Sequence, residues 1–243
     1  MKSTRVTSSA RRKRDAWAEL GDTGNYERRM GVYARARDEE IVARMLGGGP
    51  GRLLDMPCGT GRHLALARRL GFAVNAADFS PTMLSVVPET EGVSAVRADI
   101  FAPPFLAQTF DVILVSRLLF HYARPEDVLA SLLPTLRPGG RLVFDSLNTW
   151  STRWLASQFL RPFQRDPARR LYFEPPGRLA RKLDALGLEV VENESVYLLP
   201  TRLYRFLPGG LVRVLHAAER LALPQLRVLT YWHARRRLEA AVP

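Results

Sequence analysis

Leu53-Leu54-Asp55-Met56-Pro57-Cys58-Gly59-Thr60-Gly61-Arg62 is an apolar run that ends in an acid and two closely spaced glycines. The run from Arg52 to Met56 predicts a strand and Arg62 to Leu70 a helix, so the glycines fall where one gives way to the other. In a sheet with helices on both faces, ligands bind at such a junction, and glycine lets the backbone approach them closely. A dinucleotide site wants a third glycine three positions after Gly61, where Leu64 stands instead. Asp55 also fits a pyrophosphate poorly, because its charge would lie near the phosphates, whereas it suits an ammonium group. Asp78 stands 19 residues after Gly59, the spacing at which a carboxylate reaches both hydroxyls of a ribose. Together these residues describe a nucleoside with a positively charged tail.

The same alternation continues on either side. Ala73 to Ala77, Ser94 to Ala98, Phe110 to Ser116 and Arg141 to Asp145 predict strands, separated by helices at Pro81 to Val87 and Pro125 to Leu136. Parallel neighbours need crossover connections, so the fold class expected is α/β, a parallel sheet with helices on both faces. Upstream, a helical pattern runs from Trp17 to Leu46, with Ile41, Val42, Met45 and Leu46 on one face, and Gly47 to Pro50 stop it. Residues 1 to 15 are polar and lack periodicity, which predicts a mobile basic tail ahead of one domain over 16–243 with N-terminal cap helices in 16–50. Beyond Asn148 the rhythm loosens. Insertions are expected at about 149–171 and 199–224, around a helix from Pro175 to Leu186 and a strand from Leu188 to Val196. A closing strand is expected from Leu226 to His233.

The chain has 243 residues, enough for one well-buried core, and 47% of them are hydrophobic. No apolar run approaches the roughly 18 residues of a membrane-spanning helix, and no apolar stretch follows the basic N-terminus to make a secretory signal. A cytoplasmic location is the expectation. The single cysteine, Cys58, excludes an internal disulfide, and four scattered histidines give no metal spacing. The formal charge of +12 is uneven: residues 1–15 carry six basic and one acidic residue, 16–150 fourteen and fifteen, and 151–243 sixteen and eight. Positive ends attract RNA, anionic lipid or an acidic substrate, although an arginine-favouring genome also produces them.

Five stretches in order, LLDMPCGTGR, VNAADFSPTML, RADIF, FDVILVSRLLFHY and LRPGGRLVFD, resemble the class I S-adenosylmethionine-dependent methyltransferases over roughly Tyr26 to Val196. The resemblance implies a Rossmann-like doubly wound sheet of seven strands with an antiparallel last strand, and here with helical insertions after the fifth and sixth strands. It implies S-adenosylmethionine as cofactor, with Gly59 and Gly61 under the methionine part and Asp55 near its ammonium. Asp78 would hold the ribose, Phe79 and Met83 would pack on the adenine, Asp99 would accept from the adenine amino group, Ile100 would cover its face, and Ser116 would line the pocket. Tyr26 or Arg29 would meet the cofactor carboxylate.

Methyl transfer from a sulfonium is an in-line displacement whose leaving group is already activated, so positioning supplies much of the rate. A base is needed only where the acceptor must lose a proton. His121, just past the fourth strand, is the candidate catalytic residue; the bland alternative is a histidine bonded to backbone. Cys58, inside the glycine loop, would face the cofactor, which argues against a nucleophilic role. Ser116-Arg117-Leu118-Leu119 stands where adenine amino methylases carry Asn/Asp-Pro-Pro-Tyr/Phe. The aromatic residues Trp150, Trp154, Phe159 and Phe163 either wall an acceptor pocket or form the core of a lid. Leu211, Val214, Leu215, Ala218 and Leu221 form a stripe at helical spacing, expected to pack on the domain unless it rests on a membrane surface or covers a greasy acceptor. The favoured partner is a small lipophilic acceptor methylated on O, N or C. The rivals are an RNA methyltransferase using the basic ends and a catalytically silent cofactor-binding partner protein. Aminopropyl transfer wants an acidic polyamine site and is disfavoured.

Overall fold

The computed structural model describes residues 8–19, 31–89, 91–160 and 170–238. Its centre is a seven-stranded sheet ordered β3-β2-β1-β4-β5-β7-β6. The strands are β1 (Gly51–Asp55), β2 (Phe72–Asp78), β3 (Val93–Arg97), β4 (Phe110–Val115), β5 (Leu136–Leu147), β6 (Leu188–Val196) and β7 (Leu229–Arg236). The first five pair in parallel, whereas β7 runs antiparallel to both β5 and β6. This is the expected doubly wound, Rossmann-like sheet with its antiparallel last strand.

The central strands are nearly continuous in apolar residues because helices cover both of their faces. On β4, Val112 and Leu114 point into one core while Ile113 and Val115 point into the other, the period-two alternation of a pleated strand. The first core is closed by α2 (Val32–Leu46) and α3 (Leu64–Arg69), through Ile41, Val42, Met45 and Leu66. The second is closed by α5 (Pro125–Leu132) and α7 (Pro176–Ala185), through Val128, Leu129, Leu132, Leu179 and Leu183. Between them in sequence lie α4 (Pro81–Leu84) and α6 (Thr152–Leu160), and α8 (Gly209–Leu221) follows a 3-10 helix at Thr201–Phe206. Ser80 caps α4 by accepting from the backbone N–H of Met83 at 3.3 Å, and Pro81 supplies the first helical position without losing a needed donor. The sheet edges are protected differently: β6 carries Glu189, Glu192 and Glu194, and the last two pair with Arg44 of α2.

Three expectations are corrected. Residues 8–19 form a helix, α1 (Ser8–Glu19), so the stretch read as a tail to residue 15 is ordered from Ser8. Its cations hold it: Lys13 donates to the Arg170 carbonyl, and Arg14 pairs with Asp99. The helix predicted to run to Leu136 ends at Leu132, and a 3-10 turn over Leu133–Thr135 carries Pro134. Pro138-Gly139-Gly140 lies within β5, where the pairing with β4 shifts register. Within α8 the buried residues are Val212 and Glu219; of the expected packing stripe Leu215 packs against the first core, while Leu211, Val214 and Leu221 are exposed. Tyr26, Arg29 and Phe163 lie outside the described residues.

Candidate functional site

The pocket opens at the carboxyl ends of β1, β2 and β4. Met56, Pro57, Cys58, Gly59 and Thr60 form one wall; Asp78, Phe79, Ser80 and Met83 form a second; Ala98 and Ile100 close the side. Ser116, Arg117, Leu118, His121 and Tyr122 follow from the β4 loop, and Arg62, His63 and Arg14 complete the lining. Of the residues expected to bind a cofactor, Gly59, Asp78, Phe79, Met83, Ile100 and Ser116 are therefore brought together, with His121 on the same wall. Asp55, Gly61 and Asp99 are not among the residues that line the pocket.

The two glycines do different work. Gly59 has φ +55°, and a Cβ there would meet nothing within 4 Å, so its open side faces the pocket. Gly61 has φ +86°, and a Cβ would approach the Leu64 side chain at 3.0 Å and Pro88 at 3.2 Å. It permits the left-handed turn and the close packing of residues 87–88. Between them the loop is tied down by Asp78, whose Oδ2 accepts from Gly59 N–H at 2.9 Å and whose Oδ1 accepts from Ser80 N–H at 2.8 Å.

Asp55 ends β1 with 1% of its surface exposed, and neither carboxylate oxygen has a hydrogen-bond partner among the described residues. Burial, and next the charge of Asp78, push its carboxyl well above the usual range against the opposing pull of Arg62. An uncompensated buried carboxylate is costly. This orphaned acid beside a glycine bend fits a ligand that brings its own cation, as the methionine ammonium of S-adenosylmethionine does. Burial also raises Asp78, against the backbone hydrogen bonds from Ser80 and Gly59.

Beneath the β4 loop lies a buried polar cluster that the sequence reading missed. Asp38 of α2, fully buried, receives Arg62, Arg117 at 2.7 Å and the hydroxyl of Tyr231 on β7. Burial alone would raise its carboxyl, but Arg117, Arg62, His63 and Tyr231 outweigh that and hold it below the ordinary value. Arg117 also donates its backbone N–H to Asp145 at 2.7 Å. His63 Nε2 lies 3.3 Å from Ser116 Oγ, and burial brings its pKa down to about 4. A signal was present: Asp38 stands three residues before Ile41 and seven before Met45, on the buried face of α2. An acid on that face calls for buried cations, and Arg62 and Arg117 are those cations.

The remaining single residues can now be placed. Cys58 is buried, and burial together with Asp55 and Asp78 pushes its thiol up, so it carries no thiolate near neutral pH. His121 is brought down to about 3 by burial, then by Lys13 and Arg153. Trp150, Trp154 and Phe159 are not among the residues lining this pocket; Trp150 and Trp154 pack on each other, ring centroids 4.8 Å apart. Among the described residues no three metal-ligating side chains cluster, and no helix is long and apolar enough to cross a membrane.

Comparison with known proteins follows the same line. Residues 54–144 match the family model of a methyltransferase domain. Demethylmenaquinone methyltransferase of Mycobacterium sp. (strain KMS) is 30% identical over 84% of this chain and 90% of its own. The enzyme of that name from Clavibacter sepedonicus is 37% identical over 40% of this chain. Matched segments span 42%, 64% and 54% of the first three such relatives. Among solved structures, the methyltransferase in complex with the Trm112 methyltransferase activator of Haloferax volcanii superposes with a TM-score of 0.66 at 18% identity, covering 92% of this chain and 97% of that one.

Proposed function

Because the chain belongs to the class I S-adenosylmethionine-dependent methyltransferases, we propose that it methylates a small lipophilic acceptor on an O, N or C atom. The observation that carries this reading is the orphaned Asp55 carboxylate behind a glycine bend, next to a pocket whose far wall is made of Leu118, His121 and Tyr122. The relatives that match over most of the chain bear the name of an enzyme acting on demethylmenaquinone, a lipophilic acceptor.

Bound S-adenosylmethionine supplies a methyl group already activated on a positive sulfur. The chain's own residues hold and orient. Asp55 takes the ammonium, Gly59 leaves room for the methionine part, and Asp78, with its oxygens fixed by Gly59 and Ser80, takes the ribose hydroxyls. Phe79, Met83 and Ile100 pack on the adenine. Ser116, held against His63, and Arg117, held on Asp38 and Asp145, fix the β4 loop that separates the cofactor end from the acceptor end. Water exclusion by this apolar wall and alignment of the two reactants supply the rate.

His121 is a wall and hydrogen-bonding group in this reading. A general base is most effective with a pKa near the working pH, and an imidazole at about 3 is too weak a base for that task. An acceptor that needs no deprotonation, or one acidic enough to arrive as the anion, suits such a site.

The test is transfer of radiolabel from S-adenosylmethionine into a cell extract fractionated into lipid, RNA and water-soluble pools. Label in the lipid pool is expected. Label in RNA, with binding that weakens steeply as salt rises, would replace the reading by the RNA methyltransferase. Cofactor binding without label in any pool would replace it by a silent partner protein.

A further inference from the structure

β5 and β6 run in the same direction, since each is antiparallel to the β7 between them. Their carboxyl ends therefore lie along the edge of the sheet that carries the pocket, and both insertions leave from there. The insertions touch: the Thr152 hydroxyl donates to the Leu198 carbonyl at 2.6 Å, and Arg153 and Leu160 of α6 share a surface groove with Pro200 and Arg202.

What these insertions show to solvent is unusual. α8 turns an acid inward, where Glu219 accepts from the Tyr197 backbone N–H at 2.8 Å and from Arg37 at 2.7 Å. Its outward line runs Val214, Ala217, Leu221, with Val214 63% and Leu221 90% exposed and Arg213 and Arg220 to one side. On α6 Phe159 is 78% exposed beside Leu155 and Leu160, and Phe206 is 68% exposed on the 3-10 helix that opens the second insertion. The described residues of the first insertion, 149–160 and 170–171, hold no acid, and residues 199–224 hold one, the buried Glu219, against Arg202, Arg205, Arg213 and Arg220. The described residues of the two insertions thus expose apolar ridges and guanidinium groups and no carboxylate, while Arg220 shares a groove with Glu40 and Glu194 of neighbouring elements.

We propose that this face docks on an anionic lipid bilayer, the apolar side chains of α6 and α8 entering the headgroup region and the arginines meeting lipid phosphates. That is the composition of an interfacial amphipathic helix: an apolar face flanked by arginine and too short to span. A second copy of the chain is a poor occupant, because a two-fold contact would set the same arginines against each other. The inference deepens the lipophilic-acceptor reading, and rests on it only for its purpose, which is to bring the pocket mouth to the phase where such an acceptor is dissolved.

The experiment is flotation of the full chain, saturated with S-adenosylhomocysteine, on phosphatidylcholine vesicles with and without phosphatidylglycerol and free of any quinone. Binding is expected only with the anionic lipid and weakens with salt. V214E/L221E is expected to lose at least about tenfold in vesicle affinity, and R213E/R220E a similar factor, both keeping S-adenosylhomocysteine binding as proof of folding. No flotation of the wild type overturns the proposal. So does unchanged flotation of V214E/L221E, and so does light scattering that shows a dimer which V214E/L221E dissolves. If docking fails while lipid-pool methylation in detergent persists, the docking surface alone is wrong. If docking holds while label enters no lipid, the acceptor reading alone is wrong.

Discussion

The guanidinium carbon of Arg14 sits 4.1 Å from the centroid of the Phe79 ring, and the same group pairs with Asp99. Both partners are ones the family resemblance gives to the adenine, so in the proposed reading α1 lies where a bound cofactor would pack. A cation over an aromatic face contributes about 0.5–1 kcal/mol at an exposed site, and a partly exposed ion pair up to about 1 kcal/mol. Arg14→Ala is therefore expected to tighten binding of S-adenosylhomocysteine by roughly 2- to 30-fold, read by calorimetry. Weaker binding would show instead that Arg14 closes over the ligand.

Asp55→Asn separates affinity from stability. Losing the charged partner of an ammonium costs about 1.5–3 kcal/mol, so binding should weaken by roughly 10- to 100-fold. Because the fold opposes ionisation of this carboxyl, removing it should raise the stability of the ligand-free chain at pH above the unfolded carboxylate value, and the gain should vanish in acid. Because the carboxyl lies well above its ordinary value when free and an ammonium favours its ionised form, binding releases a proton. Affinity should accordingly rise with pH until Asp55 is ionised in the free protein. Calorimetry in buffers of different ionisation heat reads that proton, and Asp55→Asn should abolish it.

Asp38→Asn removes the acid shared by Arg62, Arg117 and Tyr231. Stranding buried cations costs about 3–5 kcal/mol, to be seen as a lower denaturation midpoint. The carboxyl is depressed in the folded chain, so its contribution is full above the unfolded carboxylate pKa and disappears as pH falls through the lower folded value. The gap between wild type and variant should narrow in acid; a constant gap down to strongly acidic pH would contradict the assignment.

His121→Gln tests the wall assignment. With its pKa brought down to about 3, the imidazole is neutral throughout the range from pH 5 to 9 and adds no limb to the pH profile of kcat. Turnover should fall by less than about tenfold, with the profile unchanged in shape. Loss of an acidic limb in the variant would restore His121 as a base.

What could be read from the residues followed burial and spacing. β1 and β4 were legible because strands covered on both faces must be apolar throughout, and the strand-end places of Asp55 and Asp78 and the bend at Gly59 because the apolar runs stop there. α1 was not legible, since it is anchored by Lys13 and Arg14 and shows no apolar period. The orientation of α8 was misread for a related reason. Helical periodicity reports which side is apolar, and that side faces the core only if the core offers an apolar surface. Here the inward side is shared by Val212, Leu215 of the expected stripe, and Glu219, and the partners of Glu219, Arg37 and the Tyr197 amide, come from distant parts of the chain.

The position of β7 between β5 and β6 bears on how the molecule assembles as it is made. Residues 188–196 leave the ribosome before 229–236, yet the neighbour they hydrogen-bond to in the sheet is β7. The first five strands can close as they emerge, since each finds its mate already synthesised or close behind. β6 and the arginine-rich segment after it must wait undocked until the final strand arrives and slots in beside β5. A chain halted short of Leu229 therefore forfeits two strands rather than one.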